Sequence, residues 1–330
     1  MTKKIRWGII STANIGVAKV IPALQKSKHN QVVAIASRDI HPAMEWAQKL
    51  SIPKAYGSYD ELFADAEIDA IYNPLPNHLH IPYSVAAVNA GKHVLCEKPL
   101  GLDLADTAPL IAAAEKNPQI KIMEAFMYRF HPQWQHAKQM VEAGAIGKLR
   151  NIQAHFFYNN RDDSNIRNKA DWGGGALLDI GCYPISVSRL LYGREPKKVF
   201  AQITPWPGYE VDCLVNGTMD FGDGLASFAV STKVEPGQLV IASGEAGGMQ
   251  FDMPFSPEPT ETQQILLKQN RQLQLLDIAA ADQYAEMGDA FALSILNNTA
   301  VPTPLTDGLA NMRIIDAMFE SAKKQEWVNI

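Results

Sequence analysis

Five short apolar runs spaced through residues 4–124 set the strongest limit on the fold: Ile5 to Ile10, Val32 to Ala36, Ala70 to Tyr72, Val94 to Cys96 and Ile120 to Met123. Their hydrophobicity is continuous rather than alternating, which suits strands buried on both faces and therefore a parallel sheet. Between them, Gly16 to Lys26, Pro42 to Leu50, Ser58 to Phe63 and Asp103 to Lys116 read as helices, with a proline in the first turn of the second and Ser58 and Glu61 at capping-box spacing in the third. Repeated strand–helix–strand units imply right-handed crossovers and a doubly wound sheet.

After residue 125 the texture changes. One helix is expected over Pro132 to Ala143, followed by strand candidates at Leu149 to Tyr158, Val199 to Thr204, Leu214 to Phe221 and Leu225 to Lys233. Phe221-Gly222-Asp223-Gly224 is a hairpin signal between the last two. Helical patterns return at Ile185 to Leu191 and in the last fifty residues, so the second half reads as α+β on an open antiparallel sheet. No internal repeat or low-complexity stretch interrupts this division.

Composition narrows the classes. The chain has 330 residues, 47% hydrophobic and 20% charged, an ordinary globular balance with room for two domains. Thirty Lys and Arg stand against 35 Asp and Glu, for a net charge of -5 with no block of like charges, which argues against a nucleic-acid or polybasic membrane binder. Lys3, Lys4 and Arg6 precede an apolar run as in a signal peptide, but Asn14 and Lys19 interrupt it and no cleavage pattern follows. No apolar stretch approaches the roughly 18 residues that would cross a bilayer. Three cysteines, Cys96, Cys182 and Cys213, lack any C-x-x-C spacing. A cytoplasmic protein is expected.

The first strand-to-helix turn reads Gly8-Ile9-Ile10-Ser11-Thr12-Ala13-Asn14-Ile15-Gly16. Against G-x-G-x-x-G its three glycine places hold Ser11, Ala13 and Gly16, so only the third glycine survives. The context is nonetheless that of a pyrophosphate cradle, with Ser11, Thr12, Ala13, Asn14 and Ile15 offering backbone N–H groups at a helix start. An ordinary tight turn is the alternative. The second strand ends in Ser37-Arg38-Asp39; a hydroxyl followed by arginine suits a ribose 2′-phosphate, whereas Asp39, if it faces the ribose, suits a free 2′-hydroxyl. The expected cofactor is therefore NADP, with NAD as the alternative.

Three further segments bear on chemistry. Cys96-Glu97-Lys98-Pro99 lies at the carboxyl edge of the sheet, where the Lys98 ammonium can stabilise a developing alkoxide, or else simply pair with Glu97 at the surface. Upstream, the loop Asn73-Pro74-Leu75-Pro76-Asn77-His78-Leu79-His80 suits helix capping and ribose contacts, assigned to Pro76, Asn77 and His80. His78, His80, His93 and Cys96 match no metal-site spacing, and no metal is expected. In the second half, Trp172-Gly173-Gly174-Gly175-Ala176-Leu177-Leu178-Asp179-Ile180-Gly181-Cys182-Tyr183-Pro184 sets Asp179 and Tyr183 four apart, on one face if helical. A cation lowers a phenol's pKa, so a tyrosine and a lysine make an acid/base unit; a buried aromatic and a helix cap are the bland alternative.

Taken in order, the altered glycine turn, Glu97-Lys98-Pro99, Gly173 to Pro184 and Glu124-Ala125-Phe126-Met127-Tyr128-Arg129-Phe130-His131-Pro132 resemble the Gfo/Idh/MocA family of oxidoreductases. The likeness is closest to the branch of dimeric dihydrodiol dehydrogenase, NADP-dependent D-xylose 1-dehydrogenase and glucose-fructose oxidoreductase. The resemblance implies a Rossmann domain over 1–124, with Glu97 and Lys98 at the cofactor, and a substrate-binding and dimerisation domain over 125–330, whose last helix is a candidate to pack back on the first. It places Lys98 at the nicotinamide and the reactive carbon, Asp179 on substrate hydroxyls, and Tyr183 where inositol dehydrogenases carry a histidine base. That departure shifts the expected substrate from inositol toward a sugar, a sugar derivative or a cyclic diol, with Tyr183 as acid/base supported by Lys98. Arg129, His131 and Trp172 are expected to line the substrate side. The resemblance also implies a cis bond before the motif proline, which would be Lys98–Pro99 here, and the family's open sheet implies a homodimer or higher homo-oligomer. Two other readings stand beside this one: a non-catalytic dinucleotide-bound regulator, against which Lys98 and Tyr183 both argue, and an imine- or biliverdin-reducing enzyme, which Asp179 and Tyr183 disfavour.

Overall fold

In a computed structural model that describes residues 3–330, the chain divides into two compact units. One comprises the chain up to Met127 together with Asp282–Leu309; the other comprises Tyr128–Ala281 together with Ala310–Ile330.

The first unit holds β1 (Ile5–Ile10), α1 (Ile21–Lys26), β2 (Asn30–Ala36), α2 (Ile40–Lys49), β3 (Lys54–Tyr56), α3 (Tyr59–Ala64), β4 (Ala70–Asn73), α4 (His80–Asn89), β5 (His93–Cys96), α5 (Ala108–Lys116) and β6 (Ile122–Glu124). Its six strands lie in the order β3-β2-β1-β4-β5-β6, and each pairing is parallel. Every residue of β4 and nearly every residue of β1 and β2 is buried, as continuous apolar runs demand of a sheet covered on both faces. Ser58 caps α3 by accepting the Glu61 N–H, while the Glu61 carboxylate accepts from Gly57 N–H one residue outside the expected box.

The second unit holds α6 (Pro132–Glu142), β7 (Leu149–Asn159), α7 (Cys182–Tyr192), β8 (Lys198–Thr204), β9 (Leu214–Asp220), β10 (Leu225–Ser231), β11 (Lys233–Gly244), β12 (Gly247–Phe251), β13 (Gln263–Gln269) and β14 (Gln272–Ile278). A late helix, α8 (Gln283–Leu296), belongs to the first unit; α9 (Leu305–Lys324) and the two-residue β15 (Val328–Asn329) end the chain. The nine-stranded sheet runs β14-β13-β12-β11-β7-β10-β9-β8-β15. It is antiparallel except at its centre, where β7 and β10 pair in parallel, a departure from the wholly antiparallel sheet expected. Leaving β7, the chain passes through α7, β8 and β9 before it returns beside β7 as β10, so this pair is joined by a crossover and not by a hairpin. Burial alternates along β9, β10 and β13, so only one face of this sheet is fully covered.

On the covered face an aromatic cluster forms the core. Trp134 stacks on Phe251 with centroids 4.5 Å apart and, at longer range, on Phe255; Tyr128 meets Trp134 and Phe255 edge-on, Phe156 stacks on Phe255, and Tyr183 is tilted against it. Rings of this size contribute about 1.5–3 kcal/mol each when fully buried. In the first unit Trp7 and Phe291 of α8 meet at 5.7 Å, and the Trp7 Nε1–H donates to Asn30 at 2.7 Å.

Candidate functional site

All six strands of the first sheet point one way, so the segments after β1, β2, β4 and β5 emerge on one edge, with the order reversing between β1 and β4. An open α/β sheet binds its ligand at that switch point. The turn after β1 enters a π-helical turn at Gly16–Val20 and then α1. Ser11, in the first glycine place, has φ +83°, the left-handed backbone that a glycine would adopt freely. It is held there by its own N–H donating to Ala36 O at 2.8 Å, while its hydroxyl accepts from Ala13 N–H at 3.2 Å. A Cβ on Gly16 would sit 3.5 Å from Pro74 and 3.6 Å from Tyr72, in ordinary contact with both, so the third glycine lies against the strands without being required by their closeness. Thr12, Ala13 and Ile15 are half-buried and Asn14 exposed.

After β2, Ser37 is half-buried and Arg38 exposed. Asp39 is the N-cap of α2, its carboxylate accepting the His41 N–H at 2.9 Å. A dinucleotide fits this edge: a left-handed turn at a helix start, a small residue at Ala13, and an arginine at the adjoining strand end.

The loop after β4 is organised from within. Buried Asn73 donates to His80 O and Ser84 Oγ, and Glu97 N–H donates to Asn73 O at 3.0 Å. Tyr72 O–H donates to Glu97 Oε1 at 2.7 Å, which fixes that carboxylate beside Lys98; burial and the Glu97 charge hold the phenol well above its ordinary pKa. Lys98 is half-buried, and its bond to Pro99 is cis. Pro76 and Asn77 are half-buried on the same loop. His80 departs from the ribose contact expected of it. It is fully buried, with its ring nitrogens 2.7 Å from Pro99 O and from Leu75 O. The two carbonyls favour a protonated ring, but burial outweighs them and pushes the pKa down to about 4. His80 therefore ties the two loops together from inside. His93 Nδ1 accepts the Lys121 N–H at 2.9 Å, and the Cys96 thiol is buried.

In the second unit, the glycine run leads into a π-helical turn, Leu177–Gly181, which carries Asp179 and continues as α7 with Tyr183. The two side chains lie about one turn apart, as their spacing predicts. Asp179 is buried, and its Oδ2 accepts from Tyr158 O–H at 2.6 Å and from Arg167 Nε at 2.9 Å. Burial, then the Asp179 charge, pushes the Tyr158 phenol far up; the same charge raises Arg167 despite desolvation. Tyr183 packs among Tyr128, Phe156 and Phe255. Arg129 donates to the Ser186 hydroxyl from Nε at 3.0 Å and Nη2 at 2.7 Å, one turn along α7 from Tyr183. His131 is fully buried and caps α6, Nδ1 accepting the Gln133 N–H at 3.2 Å; burial lowers its pKa to about 4. Nδ1 is thus taken up by capping, while Nε2 is buried with no hydrogen-bond partner among the described residues. Trp172 is 42% exposed.

Three residues escaped the sequence reading. Tyr158 is the last residue but one of β7, Arg167 sits in a polar loop twelve residues before Asp179, and Asp212 precedes β9. The Asp212 carboxylate accepts the Leu177 N–H at 2.6 Å, capping the turn that carries Asp179. It lies where a Cβ on Gly175, at φ +113°, would stand. Burial pushes its pKa up to about 7 against these N–H bonds, and the Asp179 charge adds to the rise.

Residues 5–126 match the oxidoreductase family with an NAD-binding Rossmann fold, and residues 134–250 match the GFO/IDH/MocA C-terminal domain. The chain is 39% identical over 99% of both chains to an uncharacterized oxidoreductase of Rhizobium meliloti. It is 35% identical to D-xylose 1-dehydrogenase (NADP(+)) 2 of Haloferax volcanii, over 96% of this chain and 97% of that one. Among solved structures, a 3-ketoreductase from Actinomadura kijaniata in complex with NADP and TDP-benzene superposes with a TM-score of 0.90 at 30% identity, over 97% and 98% of the two chains. With both halves matched in order and similarity running the full length, the chain belongs to the Gfo/Idh/MocA family of NAD(P)-binding oxidoreductases.

Proposed function

We propose that this protein is an NADP-preferring dehydrogenase or reductase acting on a carbinol or carbonyl carbon of a sugar, a sugar derivative or a cyclic diol. The observation that carries this reading is the buried Asp179 carboxylate, oriented by Tyr158 and Arg167 one turn before Tyr183. A fixed, ionised acceptor beside a phenol suits a polyhydroxylated ligand. The NADP preference is supported by Arg38 at the end of β2 and by Asp39, whose carboxylate is already committed to the His41 N–H. Relatives point the same way: one is named a D-xylose 1-dehydrogenase (NADP(+)), and another is solved with NADP.

In this reading Ser11 to Ile15 cradle the pyrophosphate, Ser37 and Arg38 receive the 2′-phosphate, and Pro76, Asn77 and Glu97 border the cofactor. When bound, NADP supplies the hydride acceptor. Asp179 accepts from a substrate hydroxyl and orients it. Tyr183 takes the proton of the reacting hydroxyl in oxidation and returns it in reduction, and the Lys98 ammonium favours the negative charge that develops on that oxygen. Arg129 and Trp172 complete the substrate side. Three buried free cysteines suit a reducing cytoplasm, and no helix among the described residues is long and apolar enough to cross a membrane.

The test follows nicotinamide absorbance with NADP and NAD separately against D-xylose, D-glucose, a trans-dihydrodiol and myo-inositol. Turnover with NADP on a sugar or diol is expected. Lys98→Met abolishes it while leaving NADP binding within about threefold, because the lysine acts on developing charge and not on the ground state. Silence on every alcohol and on the matching ketosugars and dicarbonyls would move the non-catalytic regulator to the front.

A further inference from the structure

Arg167 is bound to Asp179 in an unusual way. A guanidinium facing a carboxylate normally engages it through two N–H groups. Here only Nε donates, to Oδ2, an oxygen that also takes the Tyr158 hydroxyl. Nη1 and Nη2 donate to no atom among the described residues. The carboxylate side chain is 11% exposed and the arginine 41%, so the arginine is the more open member of the pair. The acid it binds, Asp179, stands one turn before Tyr183, and the charges that raise the Arg167 pKa are those of Asp179, Tyr158 and Tyr183.

The arginine is also held in place. Arg167 O accepts the Gly175 N–H at 2.9 Å, and a Cβ on Gly174 would collide with that same carbonyl. The loop behind it is pinned by the buried Lys233 ammonium, which donates to Asn160 O and, at 2.7 Å, to Asn168 Oδ1 while lying 3.6 Å from the Tyr209 ring centre. A preorganised donor loses little entropy on binding. Its charge is already balanced by Asp179, so a phosphate or carboxylate on the ligand would meet the acid as well as the base. Neutral oxygens suit a fork of donors beside an acceptor.

We infer that Arg167 is a specificity-determining residue that reads, through Nη1 and Nη2, a neutral hydroxyl vicinal to the one handled by Tyr183, and so selects vicinal diols over simple alcohols. The inference rests on the sugar or diol reading above and names the group within that class that is recognised. Trans-cyclohexane-1,2-diol and cyclohexanol differ by that one hydroxyl. Calorimetric titration of each into the protein saturated with NADP, with turnover measured alongside, is the experiment. The wild-type protein is expected to favour the diol by about tenfold or more, the scale of a charge-assisted hydrogen bond. Arg167→Lys keeps a cation on Asp179 but loses the fork, and the ratio of diol to cyclohexanol falls to within about twofold. Arg167→Gln, which keeps only an amide donor, repeats the test if the lysine variant fails to fold. A diol preference that survives both substitutions, or an equal loss on both ligands, would overturn the inference and leave Arg167 as a positioning residue for Asp179. The absence of any preference in the wild-type titration overturns it as well. Preferential binding without turnover, abolished in Arg167→Lys, upholds the inference and rejects the redox reading.

Discussion

Asp179 Oδ2 serves two donors at once, and their unequal character defines what each contributes. Tyr158 approaches from β7, in the interior, and Arg167 from a partly exposed loop. Tyr158→Phe removes one hydrogen bond to a buried charge without opening a cavity, so we expect a loss of about 1.5–3 kcal/mol in denaturant unfolding. The remaining acid is less constrained, and kcat/KM for a sugar or diol substrate should fall by roughly tenfold. An unchanged unfolding midpoint would show that the Tyr158 hydrogen bond to Asp179 adds nothing to stability. Of this group only Asp179 was legible in the sequence, because it shares a short segment with Tyr183. Tyr158, Arg167 and Asp212 reach it through tertiary folding, from 21, 12 and 33 residues away, and nothing local marks them.

At the scale of elements, both candidate regions begin in a π-helical turn, Gly16–Val20 after the nucleotide-type loop and Leu177–Gly181 around Asp179. Such wide turns often mark functional sites. The first depends on Ser11 at φ +83°. Ser11→Val places a β-branched residue in the left-handed region and should cost about 1–3 kcal/mol of stability and weaken NADP binding, whereas Ser11→Gly should leave both near wild type. Urea melts and NADP titrations read both. The second turn depends on Asp212, whose pKa rises from 3.8 to about 7. A carboxyl raised in the folded state stabilises the protein fully below its unfolded value, and the advantage is lost as pH climbs to about 7. Unfolding free energy relative to Asp212→Asn should therefore fall between about pH 4 and pH 7 and level off above. Taking the difference cancels His80 and His131, both lowered to about 4 and acting in the opposite sense. The strands of the first sheet were readable because burial on both faces leaves unbroken apolar runs. β3 is three half-buried residues at an edge and leaves no run. β11 to β14 went unseen because Pro236 and Gly237 break the first and glutamines fill the open-face and edge positions of the others.

For the molecule as a whole, the uncovered face of the nine-stranded sheet carries the expectation of a homodimer. Register places Leu239 and Ile241 of β11, Leu266 of β13 and Leu273 and Leu275 of β14 on that face, the last two 66% and 57% exposed. Such a concentration of aliphatic side chains on one face is what a self-association surface presents. Leu275→Glu should convert a dimer to a monomer in light scattering without lowering the melting temperature of the monomer; a wild-type monomer would refute the assignment. A second whole-chain consequence lies in the order of synthesis. The first unit lacks Phe291 against Trp7, Asp289 beside Ser27 and Asn30, and Gly288 against Leu24 until Asp282–Leu309 has been made. On a ribosome, Tyr128–Ala281, the larger part of the second unit, is translated while the first is still open at α1, β1 and β2. The earliest-made half is thus the one whose core closes late, and a nascent chain stalled near residue 281 would expose the Trp7 side of its sheet to chaperones.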